Sequence, residues 1–145
     1  MIVLDTNIIS ELWRPKPDQA VLRWVQSQRS GFLFLCAPVL AELRYGAERL
    51  PAGGRKDRIK AAIDRIETEV YRDRILPFDV AAAAEFGRLA VRRERLGRRM
   101  QSMDATIASI VVVHGASLAT RDVYDFADLG FEVINPFELG ADSQT

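Results

Sequence analysis

Short apolar segments alternate with longer segments of helical periodicity along the chain. The apolar segments are IVL at 2–4, GFLFLCA at 31–37, RILPF at 74–78, ASLAT at 116–120 and FEVINPF at 131–137. These segments predict strands, and the run at 31–37, which is continuously apolar and bounded by Gly31 and Pro38, is typical of a strand that is covered on both faces.

The segments between these strands carry helical spacing or helix boundary signals. We predict helices over 6–14, 17–28, 39–50, 55–71, 79–97 and 103–115, with Pro38 opening the third and Ser102 capping the last. The last helix is apolar almost all round, so we expect it at the centre of the fold. Strands separated by helices need crossover connections, which predict an α/β fold: a central, mainly parallel sheet of about five strands with helices on both faces.

The size and composition of the chain indicate one globular domain. The 145 residues are 48% hydrophobic and 28% charged, with a formal net charge of +0, which excludes a disordered chain and a generic polycation. We expect residues 1–139 to form the domain and residues 140–145 to be a loose tail. No apolar run approaches the roughly 20 residues of a membrane span, and no secretory signal is visible. Cys36 is the single cysteine, which excludes an internal disulfide and favours a cytoplasmic protein.

Carboxylates follow two of the predicted strands directly. Asp5 comes after IVL and Asp122 closes SLATRD, and ligands of parallel α/β folds bind beyond the carboxyl ends of the strands. Asp104 lies in the first turn of the apolar helix. Each residue also has a structural explanation: Asp5 as a helix cap, Asp104 as a partner of the helix dipole, and Asp122 as a turn residue.

Glu42 is harder to explain by structure alone. Its helical neighbours Val39, Tyr45 and Gly46 are apolar or small, so we expect its carboxylate to lie towards the buried side. A buried carboxylate needs a charge partner, which is either an arginine or a metal ion.

Asp5, Glu42, Asp104 and Asp122 together predict a cation site. Convergent carboxylates repel one another unless a cation lies among them, and oxygen ligands with several waters suit Mg²⁺ or Mn²⁺. Such an ion commonly activates water for attack on a phosphodiester. Asp125 is a further candidate member.

Thr6 and Asn7 complete the opening motif LDTN as supporting residues. They are able to hydrogen-bond to the first carboxylate, to a metal-bound water or to a phosphate, and they also suit a helix start. Other chemistries lack their residues: His114 is the single histidine and precedes Gly115 at a helix end, and no P-loop, dinucleotide fingerprint or nucleophile elbow is present.

The motifs LDTN, AELRYG, DATIASI with HG, LATRD and INPF, in this order, resemble the PIN-domain ribonucleases, and most of all the VapC/FitB-like toxins of type II toxin–antitoxin systems. The resemblance covers essentially the whole chain. It places the family's acidic residues on Asp5, Glu42, Asp104 and Asp122. Many relatives have asparagine at the position of Asp122, and the family often has NPW where this chain has NPF at 135–137.

The resemblance implies a PIN-like domain and a metal-dependent endoribonuclease, with Mg²⁺ as cofactor and Mn²⁺ as a substitute. Metal-activated water would cleave RNA to leave a 5′-phosphate and a 3′-hydroxyl. It also implies a homodimeric toxin neutralised by a small antitoxin, with promoter DNA bound only through the antitoxin.

An arginine-rich segment, RLAVRRERLGRRMQSMD, leads into Asp104. Arg98, Arg99 and Arg121 are candidate contacts to an RNA backbone, because phosphate contacts give affinity without sequence specificity. For the arginines from 88 to 95, a solvated helix face paired with acids such as Glu94 is an equally good explanation.

Two other functions remain open from the sequence. A haloacid-dehalogenase-like phosphatase also begins with a strand-terminal aspartate, but its second aspartate is here Asn7. A non-catalytic module that binds antitoxin and DNA would use the same surfaces without a metal.

Overall fold

The centre of the protein is a parallel sheet. The computed structural model describes residues 1–139. The strands are β1 (Ile2–Leu4), β2 (Leu33–Cys36), β3 (Ile75–Leu76), β4 (Ser117–Ala119) and β5 (Val133–Ile134). Their order is β3-β2-β1-β4-β5, and every neighbouring pair is parallel. The predicted mainly parallel sheet is therefore confirmed.

Helices connect the strands as the periodicity predicted. They are α1 (Thr6–Leu12), α2 (Gln19–Ser27), α3 (Ala37–Glu48), α4 (Gly54–Arg65), α5 (Val80–Arg95) and α6 (Ser102–Val113). Two 3-10 turns, Ser30–Phe32 and Val123–Phe126, and a π-helical turn, Ile66–Val70, complete the described elements.

Both faces of the sheet are covered. Successive residues of a strand point to opposite faces, and in β1 the neighbours Val3 and Leu4 are both fully buried. The same holds for Leu118 and Ala119 of β4. The two central strands are thus enclosed by helices on both sides, as predicted, and they place their carboxyl ends inside the protein.

The predicted elements differ from the observed ones mainly at their ends. The strand segments shorten to two to four residues each, and the long helix predicted over 55–71 ends at Arg65 and continues as the π-helical turn. Ser102 does not cap α6, because Gln101 is the N-cap residue and Ser102 is the first helical residue.

The strand order fixes where a site can form. The chain moves outward from β1 to β2 and β3, then crosses back to β4 on the other side of β1. The carboxyl ends of β1 and β4 therefore form the point where the winding direction reverses, which is where ligands bind in open α/β sheets.

None of the helices within residues 1–139 combines the length and apolarity that a bilayer crossing needs. The loose tail predicted at 140–145 lies outside the described residues.

Candidate acidic site at the carboxyl edge of the sheet

Asp5 lies at the centre of the candidate site. It follows β1, caps the N-terminus of α1, and is only 6% exposed. Its Oδ1 accepts a hydrogen bond from the main-chain N–H of Thr6 at 2.8 Å, and its Oδ2 accepts one from the Thr120 hydroxyl at 2.7 Å. Helix capping is thus one role of Asp5, and it leaves a buried carboxylate at the switch point.

Asn7 joins the two strand ends. Its Nδ2 group donates to Asp5 Oδ2 at 3.4 Å, to Thr120 Oγ1 at 3.2 Å and to Asp122 Oδ2 at 3.1 Å. Its Oδ1 accepts from the main-chain N–H of Arg121 at 3.1 Å. One side chain therefore fixes the residues after β1 relative to those after β4.

Glu42 enters the site from α3. Thr6 Oγ1 donates to Glu42 Oε1 at 2.7 Å, across 36 residues of sequence. Glu42 is half-buried rather than buried, and Tyr45, one turn later, is 65% exposed, so the expected apolar surroundings are only partly present. Among residues 1–139 Glu42 forms no ion pair, which removes the arginine alternative for the described part of the chain.

Asp104 completes the group from the first turn of α6. Burial raises its pKa to about 6, and the charge of Asp5 acts in the same direction, followed by those of Asp125, Glu42 and Asp122. Asp125, on the exposed 3-10 turn after Asp122, thus lies within range of Asp104.

The electrostatics of the site are those of unneutralised acids. Burial is also the main reason why the pKa of Asp5 is raised to about 6, and Glu42 and Asp122 raise it further, while the hydrogen bonds from Thr120 and Thr6 lower it. A raised carboxylate pKa means that the anionic form is held at a free-energy cost, which a bound cation would relieve.

The residues fit a hydrated divalent ion. All candidate ligands are oxygen atoms, as Mg²⁺ and Mn²⁺ prefer. Within the described 139 residues, no group of three histidine, cysteine or carboxylate side chains is arranged to hold an ion by itself. Mg²⁺ typically keeps several waters and uses one or two direct carboxylates, so a spread set of acids suits it.

Thr120 is a site residue that the sequence analysis missed. Its fully buried hydroxyl donates to Asp5 and accepts from Asn7 and, at 3.0 Å, from the main-chain N–H of Asp122. Its position in the sequence, directly after β4 and two residues before Asp122, is the feature that could have indicated this role.

The candidate RNA-binding arginines lie around this edge in different settings. Arg98 forms an ion pair with Asp128 and lies over the Tyr124 ring at 5.5 Å. Arg121 is exposed and lies over the Phe137 ring at 4.3 Å, while Arg99 is exposed.

The arginine-rich part of α5 is not simply a solvated face. Arg88 pairs with Glu85 at 2.5 Å on the surface, as the solvated interpretation predicts. Arg93, in contrast, is 2% exposed. The solvated-face explanation therefore does not apply to Arg93.

Three further residues were interpreted from the sequence. Cys36 is a buried strand residue, and burial raises the pKa of its thiol to about 12. His114 is the C-cap residue of α6, as predicted. Glu11, on α1, is buried and accepts a hydrogen bond from the Asp18 main-chain N–H at 2.9 Å.

Known proteins are similar to this chain in sequence and in fold. The sequence profile of the PIN domain matches residues 2–132. The "VapC ribonuclease Y4jK" of Sinorhizobium fredii is 42% identical over 141 residues, covering 95% of this chain and 99% of that protein. The "Toxin FitB" of Neisseria gonorrhoeae is 34% identical over 137 residues, covering 94% and 99%. The solved structure of FitAB bound to the IR36 DNA fragment superposes with a TM-score of 0.90 at 33% identity, covering 96% of this chain and 97% of that one.

The family profile spans most of the chain, and two relatives above 30% identity match nearly their whole length. The chain therefore belongs to the PIN-domain family and, within it, to the VapC and FitB toxins.

Proposed function

We propose that this protein is a Mg²⁺-dependent endoribonuclease that acts as the toxin of a toxin–antitoxin module. The observation that carries the proposal is the uncompensated acidic group at the switch point. Asp5, Glu42, Asp104 and Asp122 come from four separate parts of the chain, and among residues 1–139 none of them pairs with a lysine or arginine. The sequence identity of 42% to the VapC ribonuclease Y4jK and of 34% to the toxin FitB supports the same function.

The chain's own residues prepare the site for a cation. Asp5 and Asp104 supply carboxylates whose pKa is raised by burial and by neighbouring acids, and a bound cation would relieve both effects. Thr6 orients Glu42, and Asn7 orients Asp122. A divalent ion held here would activate water and offset the negative charge that develops on the phosphate; Mn²⁺ is expected to replace Mg²⁺.

The proposed reaction needs no covalent enzyme intermediate. The water oxygen forms a bond to phosphorus while the bond between phosphorus and the 3′ oxygen breaks. The proton lost by the water is balanced by the one gained by the leaving oxygen, which gives a 5′-phosphate and a 3′-hydroxyl. Arg98, Arg99 and Arg121 are proposed to hold the RNA backbone on either side of this point.

The partners follow from the relatives. FitAB is a complex that was solved on a DNA fragment. We therefore propose that this chain forms a homodimer, binds a small cognate antitoxin, and reaches promoter DNA only through that antitoxin, in the cytoplasm where its RNA substrates are found.

The test is cleavage of labelled RNA by antitoxin-free protein in Mg²⁺ or Mn²⁺, with EDTA as one control. Asp104→Asn is expected to lower the cleavage rate at least about 100-fold, because it removes a charge that supports the metal, while antitoxin binding persists. Asp57→Asn is the matched control, since Asp57 is also an acid in the first turn of a helix. Undiminished cleavage by folded Asp104→Asn protein would contradict the site.

A further inference from the structure

Arg93 is a buried arginine with an unusual set of partners. It lies in the last turn of α5 and is 2% exposed. Burying a guanidinium is costly unless its donors are satisfied. Among residues 1–139 no carboxylate forms an ion pair with Arg93; its hydrogen bonds go to main-chain carbonyl groups.

These carbonyl groups belong to two different segments. Nε donates to the carbonyl of Arg98 at 3.1 Å, and Nη1 donates to those of Asp125 at 2.7 Å and Ala127 at 3.2 Å. Arg98 lies in the connection that leads from α5 to α6, and Asp125 and Ala127 lie in and directly after the 3-10 turn Val123–Phe126.

Both segments border the acidic site. The α5–α6 connection ends at the turn of α6 that carries Asp104. The 3-10 turn begins after Asp122 and contains Asp125, whose charge acts on Asp104. Arg93 therefore connects the backbone that precedes Asp104 to the backbone that carries Asp122 and Asp125.

We infer that Arg93 is a positioning residue that sets the distance between Asp104 and the Asp122–Asp125 segment. This inference rests on the proposed function, because it assigns Arg93 to the same metal site without contact to metal or RNA. Only a planar guanidinium offers donors fixed in several directions; the single ammonium group of lysine cannot reproduce the geometry.

The chain contains a matched control. Arg74 also donates to three main-chain carbonyl groups, those of Ser30, Leu33 and Val70. It directly precedes β3, and two of its partners are Leu33, the first residue of β2, and Ser30, in the 3-10 turn before it. Arg74 therefore lies at the amino edge of the sheet, opposite the acidic site. Arg74→Lys therefore removes a comparable set of hydrogen bonds without touching the site.

The experiment compares Arg93→Lys and Arg93→Met with Arg74→Lys. Mn²⁺ affinity is measured on metal-free protein by calorimetry, and RNA cleavage is resolved into kcat and KM. We expect both Arg93 variants to bind Mn²⁺ about 10- to 100-fold more weakly, as loss of a residue that orients metal ligands typically does. We expect kcat to fall with little change in KM, and Arg74→Lys to keep the wild-type Mn²⁺ affinity.

Several outcomes would overturn the inference. One is a folded Arg93→Lys protein with wild-type Mn²⁺ affinity and kcat, and another is an equal loss of Mn²⁺ affinity in Arg74→Lys. A measurement on the wild type covers the case in which Arg93 variants do not fold: the assigned Arg93 Nε–H resonance should shift when Mg²⁺ is added, and an unmoved signal counts against the inference. If wild-type protein neither binds Mn²⁺ nor cleaves RNA, it is the proposed function that fails.

Discussion

Replacing Thr120 by valine measures how much its buried hydroxyl stabilises the protein when Asp5 is ionised and when Asp5 is protonated. Thr120 Oγ1 donates to Asp5 Oδ2 at 2.7 Å from a fully buried position. Valine keeps the shape of the side chain and removes the hydroxyl, which donates to Asp5 and also accepts from Asn7 Nδ2 and from the main-chain N–H of Asp122. The two accepted bonds are lost at both pH values, so only the bond to Asp5 makes the loss depend on pH. The carboxylate of Asp5 then keeps the main-chain N–H of Thr6 and the long contact with Asn7.

The loss in the free energy of unfolding depends on whether Asp5 is charged. A hydrogen bond to a charged group contributes roughly 1.5–3 kcal/mol, and a neutral one contributes about 1 kcal/mol. Because the pKa of Asp5 is about 6, the residue is mostly protonated at pH 5 and ionised at pH 8. Thr120→Val should therefore lower the free energy of unfolding by roughly 1–3 kcal/mol at pH 5, where only neutral hydrogen bonds are lost, and by roughly 0.5–2 kcal/mol more at pH 8. The additional loss corresponds to a further rise of the Asp5 pKa by about one unit.

The sign of the pH dependence follows from linkage. A carboxyl group whose pKa is raised by folding binds more protons in the folded state. Its contribution to stability is fully present below the unfolded pKa and is lost as the pH rises through the folded pKa. Thr120→Val raises the folded pKa of Asp5 further and so deepens that loss on the alkaline side.

The assay is urea unfolding in EDTA at pH 5 and pH 8, at one protein concentration because association shifts apparent stability. Ser109→Ala is the control. Ser109 is also fully buried, but its hydroxyl donates at 2.7 Å to the neutral main-chain carbonyl of Thr106, so its loss should be the same at both pH values. An equal loss for Thr120→Val at pH 5 and pH 8 would refute the reasoning.

Three further outcomes are expected from the same site. Thr6→Val removes the hydrogen bond that orients the Glu42 carboxylate, so Mn²⁺ affinity measured by calorimetry should fall about tenfold. Thr68→Val is the control: it removes an exposed hydroxyl that donates to the Asp64 carbonyl, and it should leave the Mn²⁺ affinity unchanged. At limiting Mg²⁺, RNA cleavage should decline as the pH falls below about 6, because protons on Asp5 and Asp104 compete with the ion; a rate that is flat between pH 5 and pH 8 under this condition would speak against their role. In a thermal melt, Mg²⁺ should stabilise metal-free protein more at pH 8 than at pH 5, and the reverse order would contradict a cation that relieves carboxylate repulsion.

The fold was largely predictable because its signals are local. Continuous apolar segments and helical periodicity reflect the burial of a whole face of a strand or helix. They therefore predicted the right elements, although the observed strand ends differ from the predicted ones by several residues. The ends were less predictable, because short parallel strands end where their neighbours end. Ser102 illustrates the limit: it has a good capping side chain, yet the helix begins one residue earlier.

The candidate site was predictable where an acid follows a strand, as Asp5 does, because parallel strands end at a common edge. Thr120 and Arg93 were not, because their roles depend on groups far away in the sequence. Nothing within the segment RRERLG distinguishes Arg93 from its exposed neighbours; the carbonyl groups of Asp125 and Ala127 do so only in the folded chain.

The position of β1 has a consequence for the synthesis of the protein. It is the middle strand of the sheet, and most of the chain lies between it and its neighbour β4. As a result, Asp5 and Thr120 are 115 residues apart in the sequence. At about 5–20 residues per second, a ribosome needs roughly 6–23 seconds to make that stretch. During this time the nascent chain lacks both Asp122 and the hydroxyl that holds Asp5. The acidic site of this proposed toxin is therefore incomplete while the ribosome is still making the chain. The active form arises only when nearly the whole chain has emerged.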